Sequence, residues 1–319
     1  MDDTWYGFFI EALYKKYPQK TQLAQALMDL LFIEREAVYR RLRKDVPFTV
    51  YEMAKIASAW NISLDEIIHA GTGNVAFTMK SINYLDPSEE EIIEIHKRII
   101  RLEHLETSAD AECMEICNKL PRSLTAGFMP IYIFKVFRWA YEYGNLEENK
   151  HFSQIHLPEY ATQELELYAR LIKNVANITY IWDHRMFDYV VNDIQFFHSL
   201  LLLTDEDTKL LKKELLALLD YLMEIAAKGC FPETGNKVTI CISKINIDTN
   251  YSYFYTDNLR MCRIHAFEKY DIFSFNEEMV NNFRSWMQLK KRISTQISEV
   301  DEKSRIEFFM KQRQLVERL

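Results

Sequence analysis

Thr21 to Ile68 reads TQLAQALMDLLFIEREAVYRRLRKDVPFTVYEMAKIASAWNISLDEII, and the reading of this stretch decides the first part of the fold. Its apolar residues recur at helical spacing in three blocks. Leu23, Ala24, Leu27, Leu30 and Leu31 form the first, Ala37, Val38 and Leu42 the second, and Met53, Ile56, Ala57 and Trp60 the third. Only Phe32-Ile33 separates the first block from the acidic helix start Glu34-Arg35-Glu36. Two helices joined by so short a turn, the second rich in cations, have the geometry that lays a helix in a DNA major groove.

Leu27 eleven residues before Val38, then Pro47, then Ile56-Ala57 and Ile62-Ser63-Leu64-Asp65-Glu66-Ile67 resemble the lambda-repressor-like, Cro-type family of bacterial and phage regulators. The match covers about a sixth of the chain. The resemblance implies a DNA-binding domain of four to five helices whose third helix reads the major groove. Arg35, Glu36, Tyr39 and Arg40 would face base edges or nearby backbone, and Lys20, Arg43 and Lys44 would neutralise phosphates. Thr21 would supply a phosphate-contacting start to the second helix.

Three departures modify that expectation. Phe32 stands where the family carries a turn glycine, and a bulky residue disfavours positive φ, so a different turn backbone is expected. The apolar pattern of the second helix begins one turn early, at Leu23, which displaces its start from the family's position. Glu34 and Glu36 lie where members often carry Ser, Gln or Arg; a glutamate accepts from cytosine N4 but repels phosphate.

Working outward, residues 3–16 carry Trp5, Phe8, Phe9, Leu13 and Tyr14 at helical spacing and predict a first helix. Thr21 is expected to cap the second helix, Thr49 the fourth and Ser63 a final turn. The first 70 residues hold nine Lys and Arg against ten Asp and Glu, so this region is not basic in bulk. Five of the nine cations nonetheless fall between Arg35 and Lys44, as an electrostatic footprint requires.

Gly71 and Gly73 predict a boundary, giving a DNA-binding domain over 1–70, a linker or short strand over 71–85, and a larger helical domain over 86–319. Asp86-Pro87-Ser88-Glu89 reads as a helix start with an aspartate cap, and Ile92, Ile95, Ile99 and Leu102 follow as a seam. A short coiled coil and an amphipathic helix packed in its own domain both fit that seam, the second better. Further helices are predicted over 110–120, 128–143, 161–175 and 187–203, from Thr204 to Gly229, through Met279 to Ile293, and from 301 to 318. Between them, period-two runs at Val238-Ile240-Ile242, Tyr251-Tyr253-Tyr255 and Met261-Arg263-His265 predict a small three-stranded antiparallel meander over about 237–268. The expected fold class is therefore mainly α.

A net charge of −8 on 319 residues argues against a protein that coats nucleic acid everywhere. No apolar run approaches the ~20 residues of a membrane span, and five scattered cysteines suit a reducing cytoplasm. The spacing Cys113-x-x-x-Cys117 suggests half a metal site but reads better as two buried small residues. Asp183, His184, Asp188, Asp193 and His198 read mainly as an ion-paired helix face. There is no phosphate loop, nucleophile elbow or H-E-x-x-H, so no catalytic residue, metal or cofactor is expected. The aromatic helix over 128–143 and the meander supply core; they also outline a pocket for a planar ligand at Tyr132, Trp139, Tyr253 and His265.

The expected function is a cytoplasmic, sequence-specific transcriptional regulator. Double-stranded DNA is its partner, it acts as a homodimer, and the C-terminal part senses a small-molecule or peptide effector. The alternative is an interaction module that keeps the helix-turn-helix fold without binding DNA.

Overall fold

The computed structural model describes residues 4–60, 62–69, 75–106, 108–144, 150–257, 259–267 and 270–319. The chain divides into two units, Met1–Ala76 and Phe77–Leu319. Gly71 and Gly73 lie outside the described residues.

The first unit is built of α1 (Thr4–Lys16), α2 (Lys20–Leu31), α3 (Arg35–Leu42), α4 (Val50–Trp60) and α5 (Leu64–His69). None is long enough to hold in water by propensity alone, so each depends on its buried stripe. Phe9, Leu13, Leu23, Leu27, Val38 and Ile56 meet in one core from which water is excluded. Polar clamps fix the geometry around it. The Tyr6 hydroxyl accepts from Phe48 N at 2.9 Å, and the Arg41 guanidinium grips Glu52 at 2.9 and 3.1 Å while also donating to Ala37 O. Against burial, hydrogen bonds from Arg41 and from Thr49 N hold the Glu52 carboxyl below its usual range. Thr49 and Glu52 form a reciprocal cap on α4, as expected.

Two expectations fail at α2. Its cap position is Gln19 and makes no side-chain bond, so Thr21 is the second helical residue rather than the cap. Phe32 adopts φ 56 and ψ 44, the left-handed conformation that glycine would supply, so the turn backbone is not altered by the bulky residue. The ring escapes clash by pointing outward, 85% exposed, with Lys55 Nζ 4.9 Å from its centroid.

The second unit departs further from expectation. Its sheet runs β1 (Thr78–Lys80), β7 (Tyr270–Ser274), β6 (Arg260–Ala266), β5 (Tyr251–Tyr255), β2 (Glu112–Cys117), β3 (Asn177–Trp182), β4 (Lys237–Ile242) and β8 (Thr295–Gln296) in that spatial order. β2, β3 and β4 are parallel, and every other pairing is antiparallel. Before β2 comes α6 (Glu89–Glu106); between β2 and β3 come α7 (Arg122–Thr125), α8 (Met129–Glu142) and α9 (Glu159–Asn174). Between β3 and β4 come α10 (Asp188–Ser199) and α11 (Asp205–Lys228), and the chain ends in α12 (Glu277–Arg292) and α13 (Glu302–Val316). One sheet face packs with α6, α8, α9, α11 and α13 through Trp182, Phe137, Leu171 and Phe309, and the other with α12 through Met114, Ile181, Tyr253 and Phe283.

The small meander is thus replaced by an eight-stranded mixed sheet. Residues 237–242 do not pair with 251–255, because β2 and β3 lie between them; the true meander is β5-β6-β7. Residues 112–117 form a strand, not a helix. A central strand buried on both faces lacks alternation, and Cys113, Ile116 and Cys117 mimic helical spacing. The α6 cap is Ser88, reciprocal with Glu91, rather than Asp86. Its Ile95, Ile99, Leu102 and Leu105 are buried and not a coiled-coil seam; the last three join the core of this unit. The predicted start and stop of α11 hold: Thr204 and Asp207 cap it reciprocally, and Gly229 ends it at φ 67. Among the described residues no helix is long and apolar enough to cross a membrane.

Candidate functional sites

The first candidate is the outward face of α3. Val38 and Leu42 are buried against α2 and the rest of the core, which turns Arg35, Glu36, Arg40 and Arg43 to the surface. Tyr39 lies half-buried between two cations, with Lys20 Nζ 5.5 Å and Arg35 Cζ 5.7 Å from its ring centroid. The start of α2 and the start of α3 are thereby joined in one basic and aromatic patch. Arg43 bonds Glu36 at 3.0 Å and Asp45 at 3.0 Å, so its charge is already answered on the surface. Lys44 leaves the helix at φ 66, and its ammonium lies beside Gly7 of α1. Thr21 is exposed one residue inside α2. Lys20, Arg35 and Tyr39 are thus brought together, Glu36 and Arg43 form a second pair, and Lys44 is drawn off toward α1.

The second candidate is a cavity of about 180 Å³ in the second unit, at the carboxyl end of β2. The chain leaves β2 toward β3 on one side, whereas β4 is followed by β5 on the other, so the loops part here. Crevices at such divergences of a sheet collect ligands. Asn250 holds the two loops in place: its Oδ1 accepts from Asn118 N at 2.9 Å and Lys119 N at 3.2 Å.

Tyr132, Trp139 and His265 line this cavity, and Tyr253 does not. Strand alternation explains the correction, since Tyr253 points to the opposite sheet face, where its hydroxyl meets Glu112 at 2.5 Å and Gln288 at 3.1 Å. Six charged residues that sequence reasoning passed over also line it: Arg98, Glu115, Arg122, Lys135, Arg263 and Asp271. The available signal was a charge at an inward position of an otherwise apolar strand, Glu115 in ECMEIC and Arg263 in MCRIH. Register carries Glu115, Ser252 and Arg263 into one polar row across β2, β5 and β6, and places His265 opposite Asp271 on the next.

The electrostatics of this wall are uneven. Arg263 Nε donates to Ser252 at 2.9 Å, while its terminal nitrogens stand 3.6 Å from Glu115 and 3.8 Å from Asp271, beyond hydrogen-bond range. Against burial, Arg263, a hydrogen bond from His265 and the Arg98 charge hold Asp271 well below the usual carboxylate range. Burial pushes the Glu115 carboxyl up, with Arg263 and the Ser123 hydroxyl opposing it. The Tyr84 hydroxyl accepts from Arg98 at 2.9 Å and Arg122 at 2.5 Å, and Glu164 pairs with Arg122.

The other sequence candidates are structural. Cys113 and Cys117 are buried on one face of β2, and burial pushes both thiols up. Asp183 is buried after β3 and accepts from Arg185 N and Ile247 N, tying two loops together. His198 pairs with Asp205, and Asp193 with Arg138. Among the described residues no cluster of His, Cys, Asp or Glu is arranged to hold a metal ion. Comparison with protein-family models, with curated proteins and with solved structures finds no match to this chain.

Proposed function

We propose that the chain is a sequence-specific DNA-binding regulator of transcription, with a lambda-repressor-like first unit and a second unit that senses an effector, dimerises, or both. The observation that carries this reading is the exposed face of α3, packed behind a three-residue turn from α2. It presents Arg35, Glu36, Tyr39 and Arg40, with Lys20 gathered beside them. In the groove, Arg35 and Arg40 are suited to guanine edges, Glu36 to cytosine N4, and Lys20 to phosphate. A single unit of this size buries little DNA surface, so useful affinity calls for two copies on a two-fold site.

The alternative, an interaction module without DNA binding, draws on two observations. Arg43 is already paired with Glu36 and Asp45, and Phe32, Val50 and Tyr51 are largely exposed around the turn and the start of α4. Fluorescence anisotropy with random-sequence duplex DNA at 50 and 200 mM salt separates the two. A regulator binds with strong salt dependence, because phosphate contacts release counterions, and R40A/R43A loses that binding. Absence of binding by the unmodified protein at the lower salt would put the interaction module first.

A further inference from the structure

We infer that the cavity at the carboxyl end of β2 binds a small single-ring organic anion that also carries an N–H or O–H donor. The inference deepens the sensing role proposed above, but the site itself stands on geometry within the second unit alone.

Charge comes first. Arg98, Arg122, Lys135 and Arg263 line the cavity, against two carboxylates, Glu115 and Asp271. Glu164 answers Arg122 from behind, and a positive excess remains. Buried cations are costly unless an anion meets them, and the terminal nitrogens of Arg263, near Glu115 and Asp271 but hydrogen-bonded to neither, suit a planar carboxylate. Arg122 Nε is buried and has no acceptor within the protein.

The second observation is an acceptor left open. Glu115 is 2% exposed, and its Oε2 takes the Ser123 hydroxyl at 2.6 Å. Its Oε1 is buried, lies 3.6 Å from Arg263, and receives no hydrogen bond. A buried carboxylate oxygen without a donor carries a desolvation penalty, which a ligand N–H or O–H removes. Cations and an orphan acceptor on one wall specify a ligand that carries both an anionic group and a hydrogen-bond donor.

Shape supplies the ring. Tyr84, Tyr132 and Trp139 wall the cavity with Leu120 and Val136. Its volume of about 180 Å³ slightly exceeds that of a cavity of roughly 150 Å³ known to take benzene. One ring with a carboxylate and one further substituent fills it; a nucleotide does not. A neighbouring cavity of about 110 Å³ shares Leu120, Lys135, Trp139, Asn250 and His265, leaving room for a short substituent on that side.

The test is titration calorimetry, with thermal unfolding in parallel, on the full chain without DNA, so that it is independent of whether α3 reads DNA. The probes are the hydroxybenzoates and aminobenzoates, benzoate, and inorganic phosphate. At least one donor-bearing benzoate should bind with Kd below 1 mM and raise the Tm. Benzoate should bind roughly tenfold or more weakly, the share expected of a hydrogen bond to a charged acceptor. Arg263→Gln should abolish binding, and Glu115→Gln should narrow the preference over benzoate. If either variant fails to fold, the comparison among probes on the unmodified protein still decides. No binding by any benzoate at 5 mM would overturn the inference, as would benzoate or inorganic phosphate matching the best probe.

Discussion

Phe32 offers a measurement in which opposing terms are separable. At φ 56 an L side chain sits in the left-handed region, where a residue other than glycine is penalised. Because the ring is 85% exposed, it returns little by burial; its main contact is Lys55, an exposed cation–π pair worth about 0.5–1 kcal/mol. Phe32→Ala keeps the backbone penalty and loses the ring, so the first unit should lose about 0.5–1 kcal/mol. Phe32→Gly loses the ring and also the penalty, and relative to alanine at a positive-φ site it should gain about 1 kcal/mol. The glycine variant should therefore match or slightly exceed the parent, and exceed the alanine variant by roughly 4–8 °C in the Tm of a unit this size. Hydrogen–deuterium exchange resolved over residues 4–69 reads the first unit separately from the second. Equal stability of the two variants would show that the turn is not held at positive φ. A large loss in both would show that the ring is covered by something in solution.

Two further expectations follow from contacts described above. Arg41→Ala removes a bidentate, mostly buried bond to Glu52 and should destabilise the first unit by about 2–3 kcal/mol in urea unfolding. Because the folded state depresses the Glu52 pKa, its contribution is present above the unfolded carboxylate range and disappears as pH falls through the folded value. The cost of Arg41→Ala should thus shrink in acid, and a pH-independent cost would reject that pairing as its origin. Among the cysteines, Cys230 is half-exposed, whereas Cys113, Cys117, Cys241 and Cys262 are buried, burial pushing the Cys241 thiol to about 11. Ellman's reagent on the native protein should consume one thiol quickly and the remainder only on unfolding, and Cys230→Ser should remove the fast phase.

What the residues disclosed in advance depended on whether their burial was one-sided. The five helices of the first unit each bury a stripe, so Leu27, Val38 and Ile56 announce them at the right spacing. Thr204 with Asp207, and Gly229 at its other end, mark α11 by local cap chemistry alone. The parallel strands β2 and β3 are covered on both faces, which erases the alternation that would have announced them. Pairing partners were equally hidden, since nothing local in Val238-Ile240-Ile242 says that its neighbour is 177–182 rather than 251–255. The cavity was half legible: aromatic content pointed to Tyr132 and Trp139, and the half-polar strand to His265. Arg98, Arg122 and Asp271 come from α6, α7 and β7, elements far apart in the chain. Only the sheet order brings them together.

The pairing of β1 with β7 joins residues 78–80 to residues 271–273. During synthesis the sheet edge opened by β1 therefore stays without its partner until some 190 residues more have been made. The core of the first unit, by contrast, draws only on residues 6–67 among those described. At roughly 5–20 residues per second, it has on the order of 10–40 s to fold before the second unit can close its sheet. In a nascent chain, all the residues of the α3 face are thus present well ahead of the cavity wall that includes Asp271. Any control exerted by a ligand in that cavity belongs to the finished protein and not to the emerging one.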